Sequence, residues 1–284
     1  MGRNSAKLRQ KKQRRQKKRT MARLADKHDL YQKSVQEPDA DIRLIQTAFR
    51  SEFGRPARTL REDFCGTALL ASRWVQTHRD NRAWGIDLDP EPLDWGREQN
   101  LAPLTPDQAA RVKLIEGNVL DIGHERVDVT VAFNFSYLVF LERRSLLDYF
   151  KRAISTLDSE GVLILDIYGG ADAQRTSEEP REVDDDFDYV WDQHRFDPIH
   201  HHAINYIHFR FVDGSEMSRA FRYDWRLWTI PEIRELLVEA GFAKTLVYWE
   251  GTDRKTGEGN DVFRPRESAP DDPAWISYIV GVRC

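Results

Sequence analysis

Between residues 59 and 170 the chain alternates short, mostly β-branched runs with longer runs of helical spacing, and this alternation restricts the fold more than any other feature. Residues 59–63, 83–86, 112–115, 127–133 and 162–168 read as strands, and residues 67–77, 91–100 and 143–157 as helices. Parallel strands joined through helices of this length form right-handed crossovers, which predicts an α/β fold with a mainly parallel sheet and helices on both faces. Val129, Val131, Phe133 and residues 162–167 are apolar enough for central strands buried on both sides, whereas residues 59–63 are polar for such a place. A helix over 40–53 comes first, with Ile42, Leu44, Ile45, Ala48 and Phe49 on one face and Gly54 and Pro56 at its end.

Past Gly169 and Gly170 the pattern changes. Residues 171–186 are polar and acidic and read as a solvated loop. Three strand-like runs follow, 187–196, 203–211 and 216–225, with turn signals at Asp197-Pro198 and Asp213-Gly214, so an antiparallel β annex is expected over 187–226. Pro231 then opens a helix that Gly241 ends, and residues 245–249 and 275–282 read as strands separated by a Gly-rich, charged loop.

Charge is unevenly spread. Residues 1–23 hold 11 of the 43 Lys and Arg and no acid, leaving 32 cations against 47 anions, a net −15, in the rest. The domain reading is therefore a basic, disordered arm over 1–25 followed by one α/β domain over 26–284. The arm has only Leu8, Met21 and Leu24 as large apolar residues, so it is expected not to pack. Such a run could contact RNA or a ribosome, since clustered cations displace counterions from phosphate, or could be a solvated tail. No stretch reaches the roughly 18 apolar residues of a membrane span and no apolar leader opens the chain, so a soluble, cytoplasmic protein is expected. Two cysteines, Cys65 and Cys284, are too few for a disulfide scaffold or a cysteine zinc site.

In doubly wound sheets ligands bind beyond the carboxyl ends of the strands, so the residues just after each strand carry the functional signal. The first such place is Glu62-Asp63-Phe64-Cys65-Gly66-Thr67-Ala68, where a glycine lets backbone amides approach a ligand at a helix start. The second is Asp87-Leu88-Asp89-Pro90; Asp87 lies 21 residues beyond Gly66, the spacing at which an acid hydrogen-bonds a ribose diol. The third, Asn118-Val119, sets an amide beside an apolar residue and suits an adenine edge and face. The fourth, Asn134-Phe135-Ser136-Tyr137, lies where a reactive centre would be.

On these four segments the chain resembles the class I S-adenosylmethionine-dependent methyltransferases. Their glycine motif reads acid, any, Gly, any, Gly, any, Gly; setting Cys65-Gly66-Thr67 on its Cys-Gly-Thr core puts Glu62 at the acid, with Asp63 as the alternative. Phe64 and Ala68 then stand where the first and third glycines belong, and the Phe64 side chain is expected to alter the loop. The resemblance covers roughly 58–170 and 225–282, and residues 29–36 look like the capping helix of small-molecule members. It implies a Rossmann-like seven-stranded sheet, S-adenosyl-L-methionine as cofactor, and a cofactor site drawn from Tyr31, Glu62, Asp63, Cys65, Gly66, Asp87, Leu88, Asn118, Val119 and Asn134. Tyr31, Asn134, Tyr168 and the annex would shape the acceptor pocket. It names neither the methyl acceptor nor a general base.

Competing explanations exist for single residues. Asp87 could cap the helix at Pro90, although Asp89 suits that better. Asn134 could merely satisfy backbone groups at a strand end. His200, His201 and His202 suggest a metal, but neighbours on a strand point to opposite faces and Asp197-Pro198 marks a turn, so a solvated hairpin tip is expected, with no metal. Nicotinamide chemistry is disfavoured because G-x-G-x-x-G is absent. For the acceptor, the net −15 of the body places a small molecule or a protein ahead of RNA. The alternative function is an RNA- or ribosome-associated binding protein with a degenerate cofactor fold, engaged through the arm.

Overall fold

The computed structural model describes residues 20–121, 123, 126–252, 256 and 259–284. In chain order the elements are α1 (Met21–Leu24), α2 (Lys27–Val35), α3 (Pro38–Phe53), β1 (Thr59–Asp63), α4 (Leu69–Thr77), β2 (Arg82–Asp87), α5 (Pro90–Gly96), α6 (Pro106–Ala109), β3 (Val112–Glu116), β4 (Val127–Ala132), α7 (Arg143–Ser155), β5 (Leu157–Gly169), β6 (Ser177–Asp184), β7 (Phe187–Asp197), β8 (His202–Phe211), β9 (Glu216–Arg226), α8 (Ile230–Ala240), β10 (Lys244–Thr252), β11 (Gly259–Pro265) and β12 (Trp275–Arg283). They divide into two bodies.

The larger body comprises residues 37–174, 197–202 and 225–284. Its sheet has eight strands among the described residues, in the order β11-β10-β12-β5-β4-β1-β2-β3. β1 to β5 run parallel, as the crossovers require, and β12 enters antiparallel beside β5. The order reverses at β1 and β4, so the crevice for a ligand opens beyond their carboxyl ends. α3 and α4 bury Ile45, Ala48, Phe49, Ala71 and Trp74 in one apolar cluster with Leu60, Val129, Val131 and Ile164. α7 buries Leu146, Tyr149, Phe150 and Ala153. Glu232 and Thr229 form a capping box at the start of α8, and Gly241 ends it at φ 107°.

Three sequence expectations change here. The sheet has an eighth strand, β11, inside what reads as a charged loop; it is an exposed edge strand ending in Pro265, and such edges lack the apolar alternation that marks a strand. The helix expected to reach Asn100 stops at Gly96 and continues as one wide π-type turn, Arg97–Leu101. β1 is central despite its polar sequence, because two of its three charged side chains answer each other: Arg61 and Asp63 are 0% and 1% exposed and paired.

The smaller body, among the described residues, comprises 20–36, 175–196 and 203–224. Its sheet runs β6-β7-β8-β9. Leu30, Phe187, Ile207, Phe209 and Phe211 form its core, with Tyr31, Tyr189, Trp191, Phe221 and Tyr223 packed around them. The expected loop over 171–186 contains β6, paired antiparallel with β7 from Ser177↔Gln193 to Asp184↔Phe187. Its charges and Pro180 blunt an edge and hide the strand from pattern reading. Residues 1–19 of the basic arm lie outside the described residues. The arm's last residues do pack, against the expectation: the Met21 N–H donates to Asp213 Oδ2 at 2.9 Å, and Met21 joins the apolar cluster. No helix among the described residues is long and apolar enough to cross a membrane.

Candidate functional site

The turn from β1 into α4 carries φ values of 58° at Phe64, 52° at Gly66 and 54° at Ala68. Left-handed backbone at alternate positions is what three glycines supply without penalty, and an L side chain there costs roughly 1–2 kcal/mol. The motif's glycine geometry is thus kept after two of its glycines are gone. The Phe64 ring packs on Phe140 and Tyr149, with ring centres 6.0 and 5.9 Å away. A methyl group on Gly66 would meet nothing within 4 Å, which leaves open space for a ligand at that glycine.

Several groups hold this loop. Asp87 Oδ2 accepts the Gly66 N–H at 2.7 Å, and Asp87 Oδ1 accepts the Asp89 N–H at 2.9 Å. Asp89, as expected, caps α5 by accepting from the Glu91 N–H at 3.0 Å. Asn100 Nδ2, carried inward by the wide turn after α5, donates to the Thr67 carbonyl at 2.8 Å. Gly96 lies directly against that carbonyl, with no room for a side chain. Cys65 is 2% exposed, and burial drives its thiol pKa up, so its contribution is packing.

The two candidate acids on β1 separate cleanly. Asp63 accepts from Arg61 Nε at 2.6 Å and from the Tyr149 hydroxyl at 3.0 Å, which commits it to the interior. Among the described residues Glu62 accepts only the Ala71 N–H, at 2.9 Å, and burial pushes its carboxyl up to about 8. Asp41, in the first turn of α3, is raised to about 7 by burial and acts electrostatically on both Glu62 and Asp166. Asp166 on β5 is raised to about 8, again chiefly by burial. Asp41, Glu62 and Asp166 form no ion pair among the described residues. Burial also raises Asp87.

At the ends of β2 and β3, Leu88 is 70% exposed, an apolar side chain beside the Asp87 carboxylate. Asn118 is exposed, and its Oδ1 accepts the Leu120 N–H at 2.9 Å. Val119 is buried, with its carbonyl accepting from Arg61 Nη2 at 3.1 Å. After β4, Asn134 and Phe135 are both left-handed, and Asp166 Oδ1 accepts the Phe135 N–H at 2.9 Å. Glu62, Asp63, Cys65, Gly66, Asp87, Leu88, Asn118, Val119 and Asn134 therefore all lie at strand ends of the larger body. Tyr31 lies in the smaller body, its ring centre 4.9 Å from that of Phe221.

Sequence reasoning missed Asp41, Asn100 and Asp166. Asp166 had a legible signal, being the one acid between Val162 and Ile167 in an apolar strand. Asn100 had none, because the wide turn that aims it interrupts an ordinary helical pattern. The histidine triplet sits at the β7–β8 turn, with His200 Nδ1 2.9 Å from Asp197 Oδ2. It lines a cavity of about 610 Å³ with Arg226, Thr229 and Glu232, and none of the strand-end residues lines that cavity. Among the described residues no cluster of three or more His, Cys, Asp or Glu could hold a metal.

No family model and no curated protein matches the sequence. Solved structures do match. DesVI from Streptomyces venezuelae is 17% identical, covers 92% of this chain and 99% of its own, and superposes with a TM-score of 0.65. S-adenosylmethionine-bound CalS10, an amino pentose methyltransferase from Micromonospora echinaspora, is 14% identical over 90% of this chain and 96% of its own, with a TM-score of 0.63. The sugar N-methyltransferase KedS8 from Streptoalloteichus is 18% identical over 91% and 93%, with a TM-score of 0.61. At these identities the comparison establishes a shared Rossmann-like α/β fold.

Proposed function

We propose that the chain is an S-adenosylmethionine-dependent methyltransferase acting on a small-molecule acceptor. One observation carries this reading: Asp41, Glu62 and Asp166 are raised carboxyls without an ion-pair partner among the described residues, in the body whose glycine-type loop leaves open space at Gly66. Burying carboxyls without a cation is costly unless a ligand brings the cation. The donor set fits a ligand with a sulfonium and an ammonium group. The shared fold supports it, and neighbours described as amino pentose and sugar methyltransferases favour a small acceptor over a macromolecule.

In this reading Gly66 and Glu62 hold the methionyl end, Asp87 takes the ribose hydroxyls, and Leu88, Asn118 and Val119 border the adenine. Asn134 faces the acceptor. The cofactor supplies an electrophilic methyl on a sulfur that leaves as a neutral thioether. The protein's own work is alignment and exclusion of water, which an in-line displacement needs more than covalent help.

Calorimetric titration with S-adenosylmethionine tests the assignment, with Asp87→Ala as comparison. Hydrogen bonds to a charged group contribute about 1.5–3 kcal/mol, so the variant should bind roughly 10- to 150-fold more weakly. Wild-type protein that binds no cofactor, or an Asp87→Ala variant of unchanged affinity, would refute it.

A further inference from the structure

β5 is apolar from Val162 to Ile167 except at Asp166. A lone acid in a strand covered on both sides is expensive, and Asp166 is 7% exposed. It stands directly opposite Tyr278 of β12. On its other side the register of Ala132 with Leu165 brings Phe133 to its level, and the Phe133 and Tyr278 rings meet edge to face at 5.7 Å. Aromatic walls therefore strip this carboxyl of water.

The backbone after β4 is bent to meet it. Asn134 and Phe135 both have φ 57° although neither is glycine, and such residues persist only where surrounding structure holds them. Asp166 Oδ1 accepts the Phe135 N–H at 2.9 Å, and the neighbouring Asn134 amide favours the same carboxylate electrostatically. Successive amides in a tight turn make an anion-binding concavity, filled here by the protein's own carboxylate. Three rings stand around this turn: Phe135 lies 4.8 Å from Tyr168 and 6.1 Å from Trp225, and Tyr168 lies 6.2 Å from Trp225. Tyr137, 0% exposed, has a hydroxyl with no hydrogen-bond partner among the described residues and lies within the field of Asp166. A buried hydroxyl left unpaired costs about 1–3 kcal/mol, a cost that a polar ligand would remove.

We propose that the methyl acceptor is an alkylamine, bound as its ammonium beside Phe135, Tyr168 and Trp225, and that Asp166 is the catalytic residue that takes its proton. This rests on the methyltransferase reading. One N–H proton passes to an Asp166 oxygen; the freed lone pair forms the nitrogen–carbon bond to the methyl group as the carbon–sulfur bond breaks and its electron pair stays on sulfur. Aromatic faces attract an ammonium, and the carboxylate neutralises it. Acidity separates an amine from a hydroxyl. An alkylammonium ionises near 10.4, as lysine does, within about two to three units of a carboxyl raised to about 8. Hydroxyls ionise near that of water, about 15.7, beyond the reach of this base. Among the described residues the titratable groups seen to act on Asp166 are Asp41 from α3, Tyr137 after β4 and Tyr278 from β12, and none of these is cationic.

The test uses the full chain and methyl-tritiated S-adenosylmethionine with free and nucleotide-linked amino sugars, simple alkylamines, and the hydroxyl counterpart of each, from pH 6 to 9.5. Label should enter amines and not their hydroxyl counterparts, at a rate that rises through about pH 8. Asp166→Asn keeps one acceptor oxygen for the turn, and its cofactor affinity is measured separately by calorimetry. The variant should lose about 100-fold or more in kcat, the usual contribution of a general base, together with the pH rise. Should that variant fail to fold, the wild-type partition and pH profile decide alone. Label in hydroxyls, label in no compound although cofactor binds, or an Asp166→Asn variant with undiminished rate would each overturn the inference. Absence of cofactor binding would instead remove the methyltransferase reading beneath it.

Discussion

Ala68 is a residue in a glycine's conformation, with φ 54° and 0% exposure. Ala68→Gly should relieve about 1–2 kcal/mol of left-handed strain while returning about 0.5–1 kcal/mol of chain entropy, a net gain of up to about 1.5 kcal/mol in urea unfolding. Phe64→Gly relieves the same strain but removes a ring that touches Phe140 and Tyr149, each such pair being worth about 0.5–1.5 kcal/mol, so it should destabilise. An Ala68→Gly variant that unfolds more readily than wild type would show that the loop is unstrained. This contrast marks the limit of reading at single positions. The identities of residues 64 and 68 speak against a glycine loop, and only the dihedrals restore it. Glu62 and Asp63 were likewise indistinguishable in sequence, because what separates them is an arginine two residues away on the same strand and a tyrosine 86 residues on. The nearness of Asp87 to the loop was legible from its spacing to Gly66, and its bond to the Gly66 amide spans those 21 residues.

Among the elements, the central strands and long helices were readable because burial on both faces imposes apolar runs and one-sided packing imposes a stripe, as at β4 and α3. β6 and β11 were not, since an exposed edge needs no apolar face. α5 shows how an element can serve a loop it does not adjoin in sequence. Its last residue, Gly96, lies on the Thr67 carbonyl, and the wide turn that follows sends Asn100 to the same oxygen. Gly96→Ala would drive a methyl into rigid backbone and push α5 off the loop. The expected cost is about 1–3 kcal/mol in folding, the range for overpacking. Cofactor affinity should fall with it, because the displaced carbonyl is one residue from Gly66. Calorimetry on the folded variant checks this, and a variant destabilised yet binding cofactor as wild type does would separate α5 from the site.

At the scale of the molecule, the acid excess was visible in composition, but which acids lose water was not. Asp41, Glu62 and Asp166 have folded-state pKa values of about 7, about 8 and about 8, above the 3.8 to 4.5 of free carboxyls. The native state therefore holds more protons than the unfolded chain between about pH 4 and 8. Stability changes with pH in proportion to protons bound by the unfolded minus the native state, a negative difference here, so these groups make the cofactor-free protein less stable as pH rises through that window. Exposed, ion-paired acids such as Asp39 and Glu239 have lowered values and act oppositely, but their contribution is lost only below about pH 4, so the two effects occupy different windows. A bound cation reverses the penalty by giving the ionised carboxyls a partner. The rise in Tm caused by saturating S-adenosylmethionine should then be larger at pH 8.5 than at pH 6, because ligand binding adds stability through affinity and affinity rises as the carboxyls ionise. S-adenosylhomocysteine, lacking the sulfonium charge, should show a weaker dependence. Equal shifts at both pH values, or equal dependence for both ligands, would mean that these carboxyls do not face the sulfur, and the site would have to be sought elsewhere on the sheet.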